Sequence, residues 1–194
     1  MVKCLVFYHP DDAVDLRLEQ EARLQEVWAA TRDSGHELLL EVIPPRDGGD
    51  PAPDAAVLRA VQRLYTIGLK PEWWKLAPMQ VAGWNELARL VATRDPYFRG
   101  AVILGLNQPL GDLAKGFAAA THPIVKGFMV GRSLWAEPAR GWLSDSIGDE
   151  AFVAAVAANF ETLVDAWRAS RPRAGAALAA APVHDAAQPT LRPA

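Results

Sequence analysis

Cysteine is all but missing: Cys4 stands alone in 194 residues. A single thiol excludes a disulfide framework and a thiolate metal cluster. Histidine is scarce too, and His9, His36, His122 and His184 show no ligand spacing, so no metal site is expected. There is no basic stripe and no polyacidic tail. Acidic and basic residues intermix around a net charge of -3, which offers nucleic acid nothing to hold. No apolar run approaches the ~20 residues that span a bilayer. "MVKCLVFYHPDD" lacks the apolar core and small-residue cleavage site of a signal peptide. The expectation is a cytoplasmic protein that binds neither membrane nor nucleic acid, with chain enough for one sizeable core.

What is present is an alternation of short apolar runs with longer amphipathic ones. "KCLVFY" (Lys3 to Tyr8) reads as a strand closed by "HPDD". Val14 to Asp33 reads as a helix stopped at Gly35. "HELLLEVI" (His36 to Ile43) reads as a second strand, closed by Pro44 and Pro45. A loop, "PRDGGDPAPD", leads to a helix over 55–67. "WWKLA" (Trp73 to Ala77), "GAVILGL" (Gly100 to Leu106) and "PIVKGFMVG" (Pro123 to Gly131) read as the remaining strands. Helices over 80–93 and from Asn107 to Ala120 separate them, and two more follow, over 134–143 and 150–169, with Asp149 as the expected cap of the last. Residues 1–170 form the expected domain. Residues 171–194 are rich in Ala and Pro and read as a disordered tail.

Five strand–helix units in a row predict a parallel sheet with right-handed crossovers. Two architectures compete, an open doubly wound sheet and part of a (β/α)8 barrel. The first turn, "YHPDD", has none of the glycines that an open sheet uses for phosphate. The glycines sit instead at the ends of the last two strands, where barrels place phosphate, and this favours the barrel.

In either architecture chemistry belongs at the carboxyl ends of the strands. Two charged residues there share a context. Glu41 lies three positions before Pro44, and Lys75 three before Pro78. Adjacent strands ending alike would bring them level. A lysine held among tryptophans is partly desolvated, which favours the neutral amine that adds to a carbonyl. A carboxylate beside it can shuttle protons. The bland alternative is a structural Lys–Glu ion pair. Lys126 sits earlier in its strand, where a structural role is expected, and Lys70 is expected to be exposed. "GRS" (Gly131 to Ser133) ends a strand and opens a helix, so Gly131 and Arg132, with Gly105 opposite, could cup a phosphate. Tyr8 or His9 could face a substrate, while Asp11 and Asp12 read as a turn with Asp12 capping the first helix. Trp28, Trp84, Trp142 and Trp167 read as helix-to-sheet packing.

"VKCLVFYHPDD", "GHELLLEVIPP", "GLKPEWWKLAP", "DPYFRGAVILGL" and "IVKGFMVGRSLW" together resemble one family. It is the aldolase-like domain fused behind the sugar kinase (5-dehydro-2-deoxygluconokinase) in bacterial inositol-catabolism proteins, itself similar to the class I tagatose-bisphosphate aldolases. The resemblance covers Val2 to Ala169. It implies an α/β chain of the (β/α)8 TIM-barrel family with only the last five βα units present. It implies Lys75 as the Schiff-base lysine, Glu41 as the acid/base group, and Arg132 with Gly131 at the phosphate. The implied substrate is a phosphorylated keto-sugar acid, 2-deoxy-5-keto-gluconate 6-phosphate. The implied products are dihydroxyacetone phosphate and malonate semialdehyde. No cofactor is implied, because the iminium is the electron sink. The first three βα units and the kinase are absent from the match. Two exposed edges would follow, with a homo-oligomer, a missing half-barrel or a kinase as candidate partners. Against the aldolase stand two alternatives: an inactive fragment or interaction module, and an open-sheet phosphosugar-binding protein whose strand order would not be sequential.

Overall fold

The computed structural model describes residues 1–44 and 54–171. The tail expected over 171–194, apart from Arg171, and most of the loop "PRDGGDPAPD" lie outside the described residues. The elements run β1 (Val2–Phe7), α1 (Val14–Asp33), β2 (Leu38–Ile43), α2 (Asp54–Thr66), β3 (Trp73–Leu76), α3 (Val81–Arg94), β4 (Gly100–Leu104), α4 (Leu110–Ala119), β5 (Val125–Met129), α5 (Arg132–Leu143) and α6 (Asp149–Ala169). They match the sequence pattern to within a few residues at each end.

All five strands are parallel and lie in one sheet in the order β1-β2-β3-β4-β5. The order is sequential. A doubly wound sheet reverses direction part-way and leaves helices on both faces. Here one core joins one set of strand residues to helix residues. Val6, Leu38, Leu40, Val42, Trp74, Leu76, Ala101, Ile103 and Val125 pack with Leu24, Leu64, Trp84, Leu113, Leu134 and Leu163, which come from all six helices. Side chains alternate along a strand, so Lys3, Leu5, Phe7, Leu39, Glu41, Trp73, Lys75, Gly100 and Val102 share the other face.

The core is close-packed around Trp74 and Trp84, both fully buried. The Trp74 ring meets Tyr65 edge-on, with centroids 5.5 Å apart, and its Nε1 donates to the Tyr65 hydroxyl at 2.8 Å. A second cluster ties α6 to the sheet: Trp167 contacts Phe117 and Phe128, which stack on each other at 5.0 Å. Trp142, by contrast, is exposed and donates to Asp149 rather than packing in the core.

Two expected caps fall elsewhere. Ala13, not Asp12, precedes α1, because the Asp12 carboxylate accepts from the His9 backbone N–H instead. Gly148 precedes α6, with Asp149 as its first residue.

The sheet has one irregularity. Ala101 pairs with Val125 but Val102 pairs with Gly127, so Lys126 is an extra residue in β5. Its side chain lies across Gly100 and beside Trp73. That is the amino-terminal end of the sheet, where the sequence pointed to a structural lysine.

β1 is an edge strand. Val2 and Tyr8 donate to the Glu37 and Ile43 carbonyls of the β2 side, so the N–H groups of Lys3, Leu5 and Phe7 point away from the sheet. Leu5 and Phe7 of β1 are exposed, as is Met129 of β5 at the other edge, and so are Val14, Leu16 and Leu18 of α1, Trp135 and Leu143 of α5 and Phe160 of α6.

Candidate functional site

The pairing register places Leu5, Glu41, Lys75, Val102 and Gly127 in one row across the sheet. Glu41 and Lys75 are direct neighbours in that row. Paired residues of a parallel sheet point to the same face, and both stand opposite the helices. Lys75 Nζ lies 3.1 Å from Glu41 Oε2. The Glu41 carboxylate is buried, at 7% side-chain exposure, and the lysine keeps only 12%.

A third group completes the cluster. Lys3 Nζ lies 2.6 Å from the same Glu41 oxygen and is 42% exposed. It sits two residues before Leu5, so it shares the face and reaches up the strand to the carboxylate. Sequence reasoning passed over Lys3 because it opens an apolar run. A charged residue in the same parity as Leu5 and Phe7 was the available signal. Lys126, on the same side at Gly100, and Arg99 bring four cations against the two carboxylates of Glu41 and Glu37, a setting that favours an anionic ligand.

Below Lys75 the Trp73 ring is fixed. Its Nε1 donates to Glu37 at 2.8 Å, and Arg99 holds the other oxygen of Glu37 at 3.0 Å. The Trp73 ring is thus held between Glu37 and Gly100, one step along the same face from Lys75.

The carboxyl ends of β4 and β5 come close together. A Cβ on Gly105 would fall 2.7 Å from Val130 and 3.2 Å from Ser133 Oγ, so glycine is what lets the two ends meet. Gly131 caps α5, which has no side-chain cap, and Arg132 opens the helix exposed to solvent. The buried Ser133 Oγ has no hydrogen-bond partner. Beyond Gly105, Leu106 and Asn107 both adopt positive φ, 47° and 59°. Asparagine tolerates this region but leucine does so at a cost, and strain of this kind gathers at functional loops. No sequence signal marked Leu106.

Tyr8 requires a correction. It was a candidate substrate contact, but it belongs to the helix-facing parity with Cys4 and Val6 and is fully buried. Its hydroxyl donates to Glu21 at 2.7 Å, and Arg63 grips Glu21 with two bonds of 2.9 and 2.8 Å. Burial, then the bond to Glu21, pushes the Tyr8 hydroxyl up to about 12. The Arg63 bonds hold the Glu21 carboxyl below its ordinary range. This triad clamps α1 to α2. His9 stays in the turn after β1, where its Nδ1 accepts from the Asp11 N–H at 3.1 Å. Asp11 is taken up by Arg59.

Among the described residues no group of three or more His, Cys, Asp or Glu side chains could hold a metal ion. Nor is any helix there long and apolar enough to cross a membrane.

The sequence model of a family described as "Uncharacterized protein conserved in bacteria (DUF2090)" matches residues 1–171. The chain belongs to this family. No curated protein matches it. Within this DUF2090 chain the match spans the lysine–carboxylate cluster, the row of the sheet that carries it, and the β5–α5 turn.

Proposed function

We propose that the chain is the aldolase-type part of a (β/α)8 barrel, five βα units of it, and that it forms a Schiff base through Lys75. The observation that carries this is the pairing of a nearly buried amine with a buried carboxylate, 3.1 Å apart, at one level of a parallel sheet. A structural ion pair needs one cation. Here two converge on one carboxylate oxygen, more than an ion pair requires.

In this reading Glu41 accepts a proton from the Lys75 ammonium, and the free amine adds to a substrate ketone. Glu41 returns the proton to the carbinolamine hydroxyl, water leaves, and an iminium remains. Glu41, a carboxylate again, takes the proton of the hydroxyl β to the iminium carbon; that C–O becomes the carbonyl of a departing aldehyde, and the electron pair of the breaking C–C bond flows into the iminium to give an enamine. Lys3 is a positioning residue that holds the carboxylate oriented throughout. The excess of cations on this face suits an anionic substrate, and resemblance suggests a phosphorylated keto-sugar acid such as 2-deoxy-5-keto-gluconate 6-phosphate. Its phosphate would lie at the Gly105, Gly131 and Arg132 backbone with the Ser133 hydroxyl.

Borohydride trapping with that keto acid, followed by peptide mass mapping, tests the reading. A reduced adduct on Lys75, absent in Lys75→Ala, is the expected result. Equal labelling of the two proteins overturns it.

A second reading is favoured by the exposed apolar residues along both sides of the sheet. In it the chain is an interaction module that completes a barrel with a partner chain or kinase domain. Large exposed apolar surface beside an unpaired edge is the ordinary mark of a docking site. Light scattering after size exclusion separates the two, because a folded, stable monomer argues against an obligate partner.

A further inference from the structure

Glycine inside a strand weakens it relative to alanine and needs a reason. For two other glycines, Gly100 in β4 and Gly105 just after it, the reason is packing. A Cβ on Gly100 would strike the Lys126 stem at 2.4 Å and the Trp73 ring at 2.9 Å, and one on Gly105 would strike Val130. Gly127 differs. It lies mid-strand in β5, its φ is not in the left-handed region, and a Cβ built on it meets nothing within 4 Å. Neither backbone conformation nor a neighbour among the described residues asks for glycine there. The adjoining bulge does not ask for it either, since a glycine-requiring bulge has that residue at positive φ. What remains is close approach by a group outside the described residues, and the proposal takes that group to be a ligand.

Position says which group. Gly127 pairs with Val102, and Val102 with Lys75. Phe128, the next residue, packs against Phe117 and Trp167 on the helix side. The missing side chain of Gly127 would therefore project onto the Lys75 face. Two strand spacings, about 10 Å, separate the two backbones. Lys75 leans toward Glu41, away from β5. Between them in this row stands only Val102, so the bare Gly127 makes that stretch of the row a trough.

The geometry points to Gly127 as a specificity-determining residue that keeps this trough open for the carbon chain of the carbonyl substrate. It rests on the Lys75 reading and goes further: the substrate extends from Lys75 toward β5, across Val102. A side chain at position 127 would shorten the chain that fits while leaving the amine reachable.

The experiment compares the parent with Gly127→Ala and Gly127→Phe in borohydride trapping at Lys75, read by peptide mass mapping. One probe is glycolaldehyde, with two carbons. The other is 2-deoxy-5-keto-gluconate 6-phosphate, with six. Phenylalanine is expected to reduce trapping of the six-carbon probe by about tenfold or more, the scale at which pocket shape discriminates. It should leave glycolaldehyde trapping within about twofold, with alanine intermediate. Gly127→Ala should fold, because its added Cβ enters open space, and circular dichroism checks the fold of both variants. Parental trapping of both probes by folded Gly127→Phe overturns the inference alone, as does loss of both together. A parent that traps neither probe at Lys75 overturns the lysine reading and this inference with it.

Discussion

Replacing Glu41 by glutamine is the sharpest test of the cluster. The change keeps the shape and removes the charge. Two ammonium groups lie 2.6 and 3.1 Å from one oxygen, so they are no more than about 6 Å from each other. At an effective dielectric of about 20 their mutual repulsion is about 3 kcal/mol. In the parent, two shorter-range attractions outweigh it. In Glu41→Gln the attractions vanish and the repulsion stays. Removing one member of a buried pair costs about 3–5 kcal/mol. Lys3 is 42% exposed and can swing to water, so about 2–3 kcal/mol is expected here. Lys75→Met should cost less, about 1 kcal/mol, because the Glu41–Lys3 pair survives and the repulsion goes. The double variant should be more stable than the two single losses added together, with a coupling of about 1–2 kcal/mol. Urea unfolding of the four proteins, followed by tryptophan fluorescence, measures this. A Glu41→Gln protein within about 0.5 kcal/mol of the parent would refute the shared-carboxylate picture.

Acid should weaken the fold through Glu21. Arg63 lowers its folded pKa, so the unfolded chain binds the proton first, and stability falls as pH drops from the ordinary glutamate range through the folded value. Glu21→Gln should flatten that limb in urea titrations between about pH 5 and 3; an unchanged slope would remove Glu21 as its source. Two glycines of α4 should respond with opposite signs. Gly111→Ala enters open space and should gain about 0.5–1 kcal/mol from helix propensity. Gly116→Ala meets Pro78 at 2.8 Å, a rigid ring, and should lose about 1–3 kcal/mol. Thermal unfolding decides both. Trp74→Phe leaves the buried Tyr65 hydroxyl without its donor and should cost about 1–3 kcal/mol, read by urea unfolding.

The element order was legible in the sequence because prolines and glycines punctuate it cleanly. Glu41 and Lys75 were legible for the same reason: counting back from Pro44 and Pro78 placed both at one level, and the pairing register puts them in contact. Facing was legible only where a charge marked it. In β1 both parities are apolar, Cys4, Val6 and Tyr8 on one side and Leu5 and Phe7 on the other, so alternation said nothing and Tyr8 was aimed the wrong way. Lys3 was the one residue that could have fixed the parity. Cap residues failed for another reason. A free carboxylate near a helix start has several N–H groups to choose from, and the His9 N–H won the Asp12 carboxylate. The Glu21–Arg63 clamp spans 42 residues of chain and has no local signature.

The extra residue in β5 is one that the sheet does not need for its register. Were Lys126 deleted, Val125 and Gly127 would become consecutive and could pair with Ala101 and Val102 as they already do, so every later residue would keep its side. Phe128 would stay in the aromatic cluster under α6. What would go is the lysine stem over Gly100, and with it one cation of this face. Within this strand a single lost codon is best absorbed at that position, and its loss would be felt by a ligand before it was felt by the core.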